Sequence, residues 1–364
     1  LVSRKVDWSS GKLATQFSPE EFVHVEKYWE GKEPTEYDTA DDGFWNKKKV
    51  LVGSIVGCFA GLAPDLDIFI RSATDPLLKL EYHRQFTHSI IFIPIGALIV
   101  TLFSRILFKK YLSWGETYLF SFLGYATHGL LDACTSYGTQ LLWPFSDERV
   151  SWNYISVVDP FLSIPVILSI VFAVIMKNKL ITLFGILYIL IYLSFGAIQE
   201  NRAEFSGKSI ANFRGHESKN LTVKPSLGNL FLWKTIYEDS GFYYVDAVRL
   251  FSNLEYCQGT KIKKLDLLND FLELDKKSQQ YKDIKRFDWF SQGYLGKGID
   301  KNIITDVRYS AVPNEVDGLW GIRINLNKPD SAHIDWVVNR SGYAEKWERF
   351  LNLLLGKNCK DLIN

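Results

Sequence analysis

Residues 83–108 read HRQFTHSIIFIPIGALIVTLFSRILF. A short segment with two histidines leads directly into an apolar run, Ser89–Phe108, whose only charge is Arg105. A helix needs about 20 such residues to cross a hydrocarbon core of about 30 Å. The stretch therefore predicts a membrane helix with titratable groups just before its first turn. Such groups at a membrane face are costly and are usually functional.

Working outward, four more apolar runs appear: Val50–Pro64, Tyr118–Ala133, Phe161–Met176 and Leu180–Ile198. The last has spanning length, and the other three are slightly short. Five runs between residues 50 and 198 exceed what one soluble core needs. The predicted fold is a mainly α membrane helical bundle of about five spans (47–200), followed by a soluble α+β domain (201–364). A polar segment, 1–46, precedes them, with a short helix expected from Pro19 to Trp29. A mean hydropathy of −0.03 hides this asymmetry.

The net charge of +1 over 364 residues shows no basic stripe, so nucleic acid is not an expected partner. Cys58, Cys134, Cys257 and Cys359 lie far apart without a CxxC pair, which indicates neither a cysteine zinc site nor a disulfide framework. The chain starts at Leu1 and shows no signal-peptide pattern.

Lysines 47–49, 109, 110, 177 and 179 all fall on one side of a five-span chain. The positive-inside rule makes that side cytoplasmic. The loops 65–88 and 134–160 and everything after Ile198 are then expected outside. In the C-terminal half, Gly241–Phe251, Asn302–Ser310 and Leu319–Leu326 read as strands. Leu265, Leu268, Phe271 and Leu272 give 264–280 a helical spacing. There is no Walker loop, GxGxxG or GxSxG.

Three elements carry the chemistry. PDLD at 64–67 places Asp65 and Asp67 just after the first run. HRQFTHS at 83–89 places His83 and His88 just before the second. HGLLD at 128–132 puts His128 and Asp132 on one helical face, four residues apart. Singly these are a helix stop, an interfacial loop and an intrahelical hydrogen bond. Together they converge on the outer face, and imidazole with carboxylate suits zinc, manganese or iron. Arg84 and Arg149 are candidates to clamp a phosphate or carboxylate. Asp159 is a candidate ligand or general base. His24, His216 and His333 lie outside the cluster and are expected to be surface or packing residues.

The quoted motifs, with SYGTQLLWPFSDERVSWN at 136–153 and VDP at 158–160, resemble the YdjM-like family of inner-membrane proteins. That family is described as metal-dependent hydrolases, with one member described as LexA-binding. The resemblance extends over 50–364, through FYYVDAVRLF, WFSQGY and ITDVRY in the C-terminal half. It implies a metal site at Asp65, Asp67, His83, His88, His128 and Asp132. The family is in turn distantly similar to zinc-dependent phospholipases C and single-strand nucleases, which implies phosphoester hydrolysis. Residues 1–46 depart from the short apolar helix that usually opens the longer members.

The leading expectation is an inner-membrane hydrolase with a divalent metal, zinc first, acting on a lipid or lipid-linked phosphoester. A membrane scaffold or regulator with a structural metal is the alternative. A metal-ion transporter fits less well, because the ligands gather at one face and not at the midplane.

Overall fold

The computed structural model describes residues 47–176, 178–298, 302–339 and 341–362. The expected helix at Pro19–Trp29 and His24 lie outside them. All five apolar runs are helices: α1 (Lys47–Leu62), α3 (Ile93–Phe108), α4 (Trp114–Cys134), α5 (Pro160–Met176) and α6 (Lys179–Phe213). A short α2 (Leu78–Tyr82) lies between α1 and α3.

Among the described residues, only two helical stretches are long and apolar enough to cross a membrane by themselves, Ile90–Phe108 and Lys179–Phe213. This narrows the five-span expectation. At about 1.5 Å per residue, the 16 residues of α1 and 17 of α5 fall short of about 30 Å. Helix α4 has 21 residues, but Ser121, Thr127, His128 and Asp132 dilute its apolarity. Large apolar side chains on α3, α5 and α6, such as Phe103, Ile106, Ile167 and Phe184, stand exposed.

Close backbone approaches set the bundle. A Cβ at Gly124 would stand 2.2 Å from the Gly57 carbonyl oxygen, so α4 and α1 meet where only glycine fits. A Cβ at Gly96 would overlap the Tyr125 ring. Lys49 pairs with Glu116 at 3.2 Å, tying the starts of α1 and α4 together. Ser113 and Glu116 cap α4 reciprocally.

Helix α6 runs unbroken past residue 200, the expected domain boundary, for 35 residues. Its apolar first half gives way to a half that packs Ala203 and Ile210 with Val223, Trp233 and Val248 of the following sheet. The C-terminal region is rich in sheet, as expected. Strands β1 (Lys219–Pro225), β2 (Leu232–Asp239), β3 (Phe242–Leu250) and β4 (Leu254–Lys263) form an antiparallel meander, and β9 (Lys360–Asp361) joins its edge. Strands β5 (Leu295–Lys297), β6 (Ile303–Asp306), β7 (Trp320–Arg323) and β8 (Asp335–Val338) form a second antiparallel sheet. Helices α7 (Gln279–Phe290) and α8 (Tyr343–Leu354) cover them.

Two sequence expectations fail here. Over the stretch expected as a helix, 264–280, residues 265–278 form turns and irregular chain, and helix begins only at Gln279. The Asp266 carboxylate accepts from the Leu268 and Asn269 amides, and Asp275 from Lys277, so side chains take the hydrogen bonds a helix would use. Leu268 and Leu272 are exposed, while Leu265, Phe271 and Leu274 reach the core. Second, Cys257 and Cys359 form a disulfide across 102 residues of sequence. Sequence spacing does not reveal it, because the pairing of β9 with β4 brings the two together.

The metal-motif loops and the C-terminal region pack against each other. Arg286 of α7 binds Asp75 at 2.8 Å and Glu81 at 2.5 Å. Leu77 and Leu80 sit in one core with Phe287 and Phe290.

Candidate metal centre

The three motif elements meet at one end of the bundle. PDLD forms a 3-10 turn after α1, Phe86–His88 forms another before α3, and His128 and Asp132 occupy the last turns of α4. Gly129 makes the meeting possible. A Cβ there would stand 2.5 Å from the His88 carbonyl oxygen, so α4 lies against the His88 backbone.

Asp65, His88, His128 and Asp132 form a potential metal-binding group. His88 Nε2 lies 3.0 Å from His128 Nε2, 3.2 Å from Asp132 Oδ2 and 3.5 Å from Asp65 Oδ1. His128 Nε2 lies 3.5 Å from both Asp65 Oδ1 and Asp132 Oδ2. Bonds of about 2.0–2.1 Å to a tetrahedral ion place its ligand atoms about 3.3–3.4 Å apart. Five edges of the tetrahedron therefore agree with a single shared ion. Asp132 Oδ2 is buried, with Arg84 Nε 3.0 Å away on one side and both imidazole Nε2 atoms on the other.

Asp67 holds this set from behind. Its Oδ2 accepts from the Thr87 hydroxyl at 2.8 Å and the Arg84 amide at 3.0 Å, and lies 3.3 Å from His88 Nδ1. With Nδ1–H directed at Asp67 and the Thr87 oxygen, His88 keeps the Nε2 lone pair for the centre, the carboxylate–histidine arrangement of metal sites. Asp67 Oδ1 also takes a 2.7 Å hydrogen bond from His83 Nδ1. Asp65, Asp67 and His83 form a second, adjoining group.

Charge follows from this packing. Hydrogen bonds from His128 and then His88 hold the Asp65 carboxyl well below the usual range. Burial works to raise Asp67, but His83 and His88 outweigh it and lower it. Burial works to lower His88, yet Asp132, Asp65 and Asp67 raise it to about 10.

The other candidates are placed differently. Arg84 adopts a left-handed backbone (φ 62°), which brings its amide to Asp67 and its Nε to 3.0 Å from Asp132 Oδ2. Arg149 is buried over the Tyr137 and Phe290 rings and donates to the Gly138 and His83 carbonyls. Asp159 is not beside the group. It caps the first turn of α5 through the Phe161 and Leu162 amides and accepts from the Tyr192 hydroxyl. A carboxylate immediately before a helix is a cap signal in the sequence as well. His216 packs on Tyr244, and His333 binds Asp283 at 2.8 Å. Thr87 and Gly129 were not singled out from the sequence. Their signal was position alone, since each adjoins a histidine of the set.

Residues 36–203 match the family model described as YdjM inner membrane protein. This segment is YdjM-like. It carries all six metal-motif residues. The chain is similar to the uncharacterized protein YfhP of Bacillus subtilis, 29% identical over 32% of this chain and 34% of that protein. It is also similar to the inner membrane protein YbcI of Escherichia coli, 32% identical over 28% of this chain and 60% of that protein. The chain thus spans less than two thirds of either relative's length. Residues 1–42, outside the described residues, match a model described as penicillin-binding protein 1A, C-terminal domain. No solved structure matches the chain.

Proposed function

We propose that the chain is a membrane-bound, metal-dependent phosphoesterase or phosphodiesterase that acts on a lipid or lipid-linked substrate. The observation that carries this is the tetrahedral spacing of the Asp65, His88, His128 and Asp132 donor atoms. Zinc suits this four-coordinate set of nitrogen and oxygen donors. A divalent ion held there would supply Lewis acidity to a phosphoryl oxygen and to an attacking water.

The chain's own groups do the positioning. Asp67 and Thr87 fix the His88 ring, and Arg84 fixes Asp132. His83, held by Asp67 through Nδ1, lines a cavity of about 370 Å³ and is the side chain placed to move a proton. A separate apolar groove of about 510 Å³ runs between α1 and α3, lined by Phe59, Leu62, Ile99 and Phe103, and ends at Thr87. It would seat an acyl chain with its headgroup beside the centre.

Five crossings, with the centre on the extracytoplasmic face of the inner membrane, suit this reading. The lysine-bearing starts of α1 and α6 and the end of α3 lie opposite the motif loops along the chain. The Cys257–Cys359 disulfide belongs to an oxidising compartment.

The test is metal analysis of the purified chain, followed by hydrolysis of a chromogenic phosphodiester and phosphomonoester with and without chelator. Bound divalent metal and chelator-sensitive turnover are expected. A metal-loaded chain with no turnover on either substrate class or on phospholipid would leave a structural metal and overturn the hydrolase.

A further inference from the structure

Lys224 of β1 and Lys234 of β2 are direct cross-strand partners. Both are buried, about 4% exposed, on one face of the sheet. Like charges directly opposite on a sheet are destabilising, and a buried charge without a counter-charge is costly. Neither ammonium has a carboxylate partner. Lys224 donates to the Ser136 carbonyl and Asn153 Oδ1, at 3.1 and 3.2 Å. Lys234 donates to the Ser310 hydroxyl and the Glu315 carbonyl, at 2.7 and 2.8 Å. Asp306, whose charge reaches both lysines, is engaged by Arg308 through two hydrogen bonds of 3.0 and 2.8 Å.

Both lysines line one cavity of about 470 Å³, with Lys346 on its wall. The rest of that wall is largely aromatic, including Tyr309, Trp320, Trp347 and Phe350. Tyr137, Leu319, Trp320 and Tyr343 line this cavity and also the one that holds His83. The pocket thus offers two lysine amines and an apolar, largely aromatic surface.

We infer that this cavity is a binding site for a phosphomonoester carrying an apolar substituent, with Lys224 and Lys234 holding the dianionic phosphate and the aromatic wall holding the apolar part. Two ammonium groups match the charge of about −2 on a phosphomonoester. Burial lowers both lysines, Lys234 to about 7, and a bound dianion would restore their charge. The site does not depend on the metal reading, because none of the proposed ligands lines it.

The test uses the full chain in detergent, treated with chelator so that the outcome is separate from the fate of the metal centre. The probes are dioctanoyl phosphatidic acid, the uncharged dioctanoylglycerol and inorganic phosphate, followed by tryptophan fluorescence, since Trp320 and Trp347 line the cavity. Phosphatidic acid should saturate and bind at least about tenfold more tightly than either other probe. Lys224→Met and Lys234→Met should each weaken it about tenfold, the scale of a lost charge-assisted hydrogen bond. Equal affinity for dioctanoylglycerol, or unchanged affinity in both variants, would overturn the site. Equal affinity for inorganic phosphate would overturn the apolar half of the ligand. The comparison among probes stands on the unaltered chain, even where a variant fails to fold.

Discussion

At the residue scale, the donor atoms separate by the roles their hydrogen bonds allow. His128→Ala and Asp132→Ala remove edges of the tetrahedron while alanine preserves helix α4. Each should purify as a folded membrane protein with its divalent metal lost, as read by elemental analysis. Asp67→Asn keeps the shape of a group that acts through His88. It should retain metal at an affinity about 10–100-fold weaker, the usual cost of losing such a partner. His83→Gln separates the two roles open to that ring. Metal retained with turnover reduced supports a proton carrier, and metal lost makes it a ligand. Lys234 offers a pH test. Its folded pKa, lowered to about 7 by burial and only partly offset by Asp306 and Glu315, lies below the value of about 10.5 expected unfolded. As pH rises from about 7 to about 10, the unfolded chain holds a proton there that the folded chain does not, so the stability from this group grows with pH. Lys234→Met should flatten that rise in thermal unfolding, compared with the unaltered chain at each pH. The six motif residues were legible because residue type and spacing carry ligand chemistry. The pairing of Lys224 with Lys234 was not, because ten residues of separation say nothing about register until the β1–β2 hairpin is built.

At the element scale, what the sequence showed was periodicity, and what it concealed was competition for backbone hydrogen bonds and long-range pairing. The helices followed from apolar runs, and β3 from the alternation in Phe242–Leu250. Residues 264–280 have the spacing of a helix, but 265–278 are turns and irregular chain, because Asp266 and Asp275 satisfy the local amides. Gly129 is the tightest link between elements in the site, with the His88 carbonyl 2.5 Å from where a Cβ would stand. Backbone on both sides leaves no flexible side chain to yield, so Gly129→Ala should push α4 away from His88. Metal content should fall even though no ligand is altered, and the melting temperature should fall with it. Gly115→Ala is the matched control. Nothing lies within 4 Å of a Cβ there, so metal content should be unchanged.

At the scale of the whole molecule, the long α6 decides how the halves relate. Its first half has the length and apolarity to cross a membrane, and its second half is packed against β1–β3 without a break. The C-terminal region therefore begins where α6 leaves the apolar layer. The close approach of Gly196 to the Tyr154 carbonyl places that point beside the loop after α4. Contacts from Arg286 to Asp75 and from Lys224 to Ser136 hold the region over the motif loops. Metal centre and C-terminal region must then share one side of the membrane, whichever side it is. The proposed function puts them outside, on two independent arguments. Lysines 47–49, 109, 110, 177 and 179 fall opposite the centre in the five-crossing reading, and short-loop lysine marks the cytoplasm. Cys257 and Cys359 are disulfide-bonded, as cytosolic cysteines rarely are. Alkaline phosphatase, active only outside the cytoplasm, should be active when fused after Asn364, and β-galactosidase at the same point inactive. Cys257 and Cys359 should resist a thiol-alkylating reagent in cells until a reductant is added. A cytoplasmic reporter signal together with freely alkylated cysteines would reverse the orientation, and the substrate would then have to come from the inner leaflet.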